Sequence, residues 1–214
     1  MLAVTTLLTM SLDQRQTVVA LDLEGVLIPE IWVAVAERTG IDGLRLTTRD
    51  VPDYDVLMRG RLALLDQHGL RLSDITSVIA ELGPLDGAHA FLDELRSRTQ
   101  VIILSDTFEQ FAQPFMRRLG WPTIFCHRLV VDDDDRIVDY QLRQHDQKRH
   151  AVEALHALNF HVAAAGDSYN DIAMLRTADV GVLFRSPDNV RHEFPQFAAV
   201  QSYDELAERL LATR

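Results

Sequence analysis

The sequence predicts an α/β fold: a parallel sheet covered by helices on both faces and interrupted once by an all-helical insertion. Three observations carry this. Short, almost wholly apolar runs alternate with segments of helical spacing, as in parallel strands buried on both sides. From about Pro29 to Leu85 that alternation stops and only helical patterns remain. Of the 214 residues, 47% are hydrophobic, enough to pack one good-sized domain with a smaller insertion.

The elements follow in chain order. Residues 1–16, "MLAVTTLLTMSLDQRQ", have neither leading positive charges nor a clear cleavage site, and read as a frayed N-terminal extension with Met10 as an alternative start, a signal peptide being the more distant reading. "TVVALDL" (17–23) is the first strand. "EIWVAVAERTG", "DVLMRGRLALLDQHG" and "SDITSVIAEL" then form helices punctuated by Gly40, Gly69 and Gly83-Pro84. Trp32, Val35 and Ala36 make an apolar stripe on the first of these, facing the insertion's interior or the cleft. The expected division is a catalytic core over 17–28 and 86–214, with a helical cap over 29–85 above the sheet's active edge. "AHAFLDELRSR" is a helix, "VIILS" (101–105) a strand, and "FEQFAQPFMRRLG" a helix stopped by Gly120. Cys126, beside His127, reads as a core residue at a strand end. "LVVDDDDRIVDYQL" reads as a hairpin whose four aspartates form a solvated turn in preference to a cation site. "KRHAVEALHAL" is a helix, and "VAAAG" (162–166) and "VGVLF" (180–184) are strands. "SPDNV" and "EFPQF" then read as loops edging the site.

Composition excludes several classes. A net charge of −11 opposes nonspecific nucleic-acid binding, which needs a basic face. No apolar run reaches the ~20 residues of a membrane span. The one cysteine cannot form an internal disulfide, which fits a reduced, cytoplasmic setting. The eight histidines show no zinc-ligand spacing.

Open α/β sheets bind ligands at the carboxyl ends of their strands. Asp22 ends the first strand, Ser105 ends another, Asp167 lies just past a third, and Lys148 opens the helix before it. Taken singly, each residue is common at a turn or helix cap. Their ordered recurrence at successive strand ends is what points to a site. Asp22, Glu24, Asp167 and Asp171 would bring four negative charges into one cleft, which requires a cation. Oxygen ligands suit a hard ion, and Mg²⁺ is the usual one where a phosphate shares its coordination. Lys148 would then supply positive charge to the phosphoryl oxygens, Ser105 a hydroxyl donor, and Asn170 an amide donor.

Four ordered motifs, "DLEGVL", "LSDTF", Lys148 within "DQKRH", and "GDSYND", resemble those of the haloacid dehalogenase-like phosphatases and phosphotransferases, over almost the whole chain from residue 17. "DLEGVLIPEIW", "TTRDVPDYDVLM", "YQLRQ", "AAGDSYND" and "EFPQF" are similar to the bifunctional phosphoserine phosphatase/homoserine phosphotransferase subgroup of the phosphoserine phosphatase branch. The resemblance implies a Rossmann-like core with a helical cap. Asp22 becomes the nucleophile that forms an aspartyl-phosphate. Glu24 becomes the general acid for the leaving alkoxide and then the base for the acceptor. Mg²⁺ would be bridged by the Asp22 carboxylate, the Glu24 backbone carbonyl and Asp167, and Asp171 would hold Lys148 or a metal-bound water. The resemblance also implies that Glu30 pairs with the substrate ammonium and Arg61 with its carboxylate, and it places Asp106 among the substrate-binding residues. Phosphoserine and homoserine would be the small-molecule substrates of a monomer or small homo-oligomer. Phosphoserine phosphatases usually carry aspartate where Glu24 stands, and small residues where Asp106 and Thr107 stand; the bifunctional subgroup shares both changes. Glu30 lies one residue closer to the nucleophile than is common in the branch. A phosphatase of another small phosphomonoester is the neighbouring reading. A phospho-accepting signalling domain is the more distant one, and such domains lack the helical cap and a carboxylate placed like Glu24.

Overall fold

The computed structural model describes residues 15–48, 50–51 and 53–212. The extension expected over 1–16 therefore lies outside the described residues except for Arg15 and Gln16, as do Arg49 and Pro52 of "TTRDVPDYDVLM". Seven strands form one sheet: β1 (Thr17–Leu21), β2 (Gln100–Phe108), β3 (Thr123–Val131), β4 (Ile137–Gln141), β5 (His161–Gly166), β6 (Val180–Phe184) and β7 (Ala198–Val200). Their order is β4-β3-β2-β1-β5-β6-β7, and every pair is parallel except β3–β4. The continuous apolar runs have a simple cause. Val19 and Leu21 of β1 enter the core on one face, while Val18 and Ala20 enter a second core on the other. With both faces covered, neither alternate set of residues meets water, so the strand shows no polar period.

Between β1 and helix α4 (Ala88–Arg98), the described chain makes helices α1 (Ile31–Thr39), α2 (Tyr54–Gln67) and α3 (Leu72–Glu81) and a 3₁₀ turn at Asp42–Arg45, with no strand. Trp32, Val35 and Ala36 of the predicted stripe are buried. Leu85 N–H donates to the Leu27 carbonyl at 2.9 Å, so the insertion leaves and rejoins the sheet at one place. The remaining helices are α5 (Glu109–Arg118), α6 (Gln147–Ala157), α7 (Ile172–Thr177), α8 (Asp188–Glu193) and α9 (Tyr203–Leu211).

Several sequence expectations need correction. The second strand does not stop at Ser105 but runs to Phe108, with a register shift against β3 between Leu104 and Phe108. The stretch holding Cys126 and His127 is a full parallel strand, and both residues lie within it. Part of "SPDNV" and the start of "EFPQF" are helical, as α8. In the acidic turn Asp133 and Asp134 are exposed as expected, whereas Asp132 and Asp135 are half-buried and the turn also docks on the insertion. Asp135 accepts the Leu72 N–H through its carbonyl and the Ser73 N–H through Oδ2, both at 2.9 Å, and Arg71 reaches the Asp134 carbonyl. A core hairpin thereby supplies acceptors for the orphan N–H groups at the start of α3.

Candidate active site

The sheet order puts β1 between β2 and β5, so their carboxyl ends meet where the connections diverge to either side. The chain leaving β1 folds into a tight loop. Leu27 and Ile28 N–H both donate to the Leu23 carbonyl, and Gly25 N–H donates to the Ile28 carbonyl. Gly25 has φ +76°, and a Cβ there would lie 2.6 Å from Asp167 Cγ, so glycine is required on both counts. Gly166, ending β5, lies closer still to Asp171: a Cβ would sit 2.2 Å from its Cγ.

Four ionisable groups meet below that loop. Lys148 Nζ lies 2.7 Å from Asp171 Oδ1 and 2.9 Å from Asp22 Oδ1, with all three residues buried. Asp171 Oδ2 accepts the N–H groups of Asp167 and Ser168 at 2.9 and 3.1 Å, which spreads the "GDSYND" loop around it. Asp22 Oδ1 also accepts Leu23 N–H at 2.7 Å, so this oxygen is tied down and Oδ2 carries no hydrogen bond among the described residues. Asp22, Asp167 and Asp171 each place a carboxylate oxygen within 4.8 Å of the others. Three buried carboxylates against one lysine leave excess negative charge. Burial, then Asp171, pushes the Asp22 carboxyl well above its ordinary range, against the pull of Lys148. Burial works against charge on Lys148, but Asp171, Asp22 and Asp106 outweigh it and hold the ammonium on. An all-oxygen set with uncompensated negative charge fits a hard divalent cation.

The end of β2 supplies the next layer. Ser105 is buried, and its Oγ accepts Thr107 N–H at 3.2 Å. Asp106 Oδ2 accepts the Asn170 amide at 3.0 Å and lies 3.6 Å from Lys148 Nζ. Gln147 donates to the Ser105 carbonyl at 2.6 Å, and the Tyr54 hydroxyl donates to the Asp106 carbonyl at 3.1 Å. Burial would raise the Asp106 pKa, but Lys148, then His127 and Asn170, hold it well below the usual carboxylate range. Sequence reasoning missed Tyr54, His127 and Gln147 here. Gln147 adjoins a named candidate, and His127 directly follows the apolar run 124–126 of β3.

The insertion closes the other side of a cleft of about 760 Å³ that reaches from Asp22 and Lys148 to Glu30 and Arg61. Glu24 turns back so that Oε2 accepts Ile31 N–H, the first of α1, at 2.9 Å. Burial, then the charge of Glu30, pushes its pKa up to about 7, against the Ile31 bond and Arg61. Arg61 is buried over the Trp32 ring, 4.6 Å from its centroid. One nitrogen donates to the Leu46 carbonyl at 2.7 Å, while Nε has no partner. Its guanidinium makes no ion pair with the described residues, and burial lowers its pKa to about 10. The structure thus gathers Asp22, Glu24, Glu30, Arg61, Ser105, Asp106, Lys148, Asp167 and Asn170 along one cleft, with Asp171 beneath Lys148.

A buried carboxylate–lysine centre at the switch point of a parallel sheet, under a helical insertion, marks the class as an α/β enzyme. The family follows from comparison: residues 16–179 match the haloacid dehalogenase-like hydrolases, and the chain belongs to that family. It is 60% identical over 194 residues to a phosphoserine phosphatase of Pseudomonas syringae pv. tomato, covering 91% of this chain and 82% of that one. It is also 60% identical to phosphoserine phosphatase ThrH of Pseudomonas aeruginosa, covering 91% and 95%. A solved structure described as a phospho-aspartyl intermediate analogue of phosphoserine phosphatase superposes with a TM-score of 0.76 at 19% identity, over 91% of this chain and 99% of that one. That last likeness bears on the fold alone. No helix among the described residues is long and apolar enough to cross a membrane.

Proposed function

We propose that the protein is an Mg²⁺-dependent phosphoserine phosphatase that also passes the phosphoryl group to homoserine. One observation carries the reading. The cleft joins the Asp22–Lys148 centre to a buried guanidinium that, among the described residues, feels the charges of Glu24 and Glu30 but makes no direct ion pair. A buried, unpaired cation is costly unless a ligand completes it. A phosphomonoester bearing a carboxylate answers both ends. The 60% identity to two phosphoserine phosphatases supports the same substrate.

In this reading Arg61 grips the substrate carboxylate and Glu30 its ammonium, with Asp106 bordering the phosphoryl pocket. Lys148, Ser105 and Asn170 donate to the phosphoryl oxygens. An Asp22 oxygen attacks phosphorus, the bond to the serine oxygen breaks, and Glu24 gives that oxygen its proton. Ionised Glu24 then takes a proton from water or from the homoserine hydroxyl. That oxygen attacks phosphorus and Asp22 is released. Homoserine carries the same ammonium and carboxylate as serine with one more methylene, so the same grip serves it. Asp22, Asp167 and the Glu24 carbonyl would hold Mg²⁺, with Asp171 near, and the ion would neutralise the phosphoryl oxygens. The helical insertion over 29–85 acts as the lid that keeps bulk water from competing.

The test is direct. Purified protein with Mg²⁺ and phosphoserine releases phosphate, and added homoserine yields phosphohomoserine. Asp22→Asn abolishes both products; unchanged turnover in that variant would sink the nucleophile assignment. Phosphate release without phosphohomoserine at high homoserine would remove the transferase half alone.

A further inference from the structure

We infer that Asp106 is a resident competitor of the phosphoryl group, whose carboxylate occupies donors a phosphate would take and so weakens the hold on free phosphate. This rests on the phosphate-binding roles proposed above for Lys148 and Asn170. Both are already engaged by Asp106 Oδ2, Asn170 at 3.0 Å and Lys148 at 3.6 Å. The lysine has three carboxylate neighbours, two at hydrogen-bond distance and Asp106 farther off at 3.6 Å, so an arriving phosphoryl oxygen comes in on the Asp106 side. Asp171 at 2.7 Å and Asp22 at 2.9 Å are buried and short. Asp106 is the farthest and, with a side chain 31% exposed, the one that water can compensate as it yields.

The displaced carboxylate is held close by. The Tyr54 hydroxyl donates to its carbonyl at 3.1 Å, and Gln147 donates to the Ser105 carbonyl at 2.6 Å, so the backbone at β2's end is fixed. On the Oδ1 side lie Gln147 Nε2 at 3.4 Å and His127 Nε2 at 3.6 Å. His127 Nδ1 accepts Arg143 N–H at 3.2 Å, which fixes the ring with Nε2 toward this carboxylate. The negative charge therefore stays beside the phosphoryl pocket after the donors are surrendered. Phosphoserine offsets that repulsion through Arg61 and Glu30. Inorganic phosphate has no groups for either, so Asp106 separates product from substrate.

The experiment measures inorganic phosphate, with Mg²⁺, both as an inhibitor of phosphoserine hydrolysis and by direct calorimetric titration, in the wild type, Asp106→Asn and Asp106→Ala. The asparagine keeps an acceptor for Asn170 and removes only the charge. Both variants are expected to bind phosphate about tenfold or more tightly, because a nearby like charge is gone. Damage to the pocket would move affinity the other way, so a gain is not explained by a structural lesion. Unchanged or weaker phosphate binding in folded Asp106→Asn overturns the inference while leaving the phosphatase reading intact. A wild type inert toward phosphoserine, with variants that still tighten on phosphate, fails that reading and supports this inference. Absence of phosphate binding in every form overturns the inference, while phosphoserine turnover decides the phosphatase reading separately.

Discussion

Glu24 shows how far one side chain's surroundings set its chemistry. A general acid must hold its proton near working pH, and burial beside Glu30 brings this carboxyl to about 7. On the proposed assignment, kcat/KM for phosphoserine falls as pH rises through about 7, because the first step needs the protonated form. Glu24→Gln loses that limb and lowers turnover by roughly 10²- to 10⁴-fold. A pH–rate profile of the two proteins checks this, and a limb that persists in the glutamine variant excludes Glu24 as its source. Arg61 yields a second prediction. Arg61→Ala raises KM for phosphoserine roughly 10- to 100-fold, the scale of lost charged hydrogen bonds, while O-phosphoethanolamine, which lacks the carboxylate, is scarcely affected. Parallel losses on both substrates would mean that Arg61 braces the lid and does not read the carboxylate.

At the scale of elements, the loops after β1 and β5 are built by close approach. In Gly166→Ala the new methyl meets Asp171, which is fully buried and cannot swing away. The variant loses roughly 3 kcal/mol or more to overpacking and nearly all turnover, since Asp171 holds Lys148 at 2.7 Å. Urea unfolding beside an activity assay separates the two effects, and near-normal stability and turnover together would contradict the packing. The hairpin turn gives a milder test. Asp135→Ala removes the acceptor for Ser73 N–H at a position with φ +64°, and costs about 1–2 kcal/mol by urea unfolding, whereas Asp135→Asn costs only a few tenths. These elements were unequally legible. Strands buried on both faces, such as "VAAAG", announce themselves by composition, and helices as long as α2 by their period. β7 has three residues and α8 six, too short to show any period. β3 carries His127 and Arg128 inside it, which masks its strand pattern. α9 had a signal, Ser202 with Glu205 three residues on, and the two form a capping box. In the site, residues carried by motifs were legible. Tyr54 and Gln147 lie inside quoted motifs, but their contacts, like that of His127, arise only where separate elements converge on Asp106, which no local pattern encodes.

For the molecule as a whole, the acidic centre links metal, pH and stability. The folded-state pKa of Asp22 is raised by burial and Asp171 above its ordinary value of 3.8, so the folded form binds this proton more tightly than the unfolded chain does. Its favourable contribution is therefore present at low pH and lost as pH rises through that interval, and Glu24, raised from 4.5 to about 7, acts in the same sense. Without metal, the folded protein is strained by its own charge near neutrality. Mg²⁺ bound to the folded form alone restores that loss and adds RT ln(1 + [Mg²⁺]/Kd), about 2.7 kcal/mol at a hundredfold excess over Kd. Chelation with EDTA is thus expected to abolish turnover and lower Tm, and the Tm gained on adding Mg²⁺ is larger at pH 8 than at pH 5. Asp22→Asn shrinks both the increment and its pH dependence, because the neutral amide removes the charge that the metal offsets. Melting curves at the two pH values, with and without Mg²⁺, decide the matter. An increment equal at both, or unchanged in Asp22→Asn, would place the ion away from this centre.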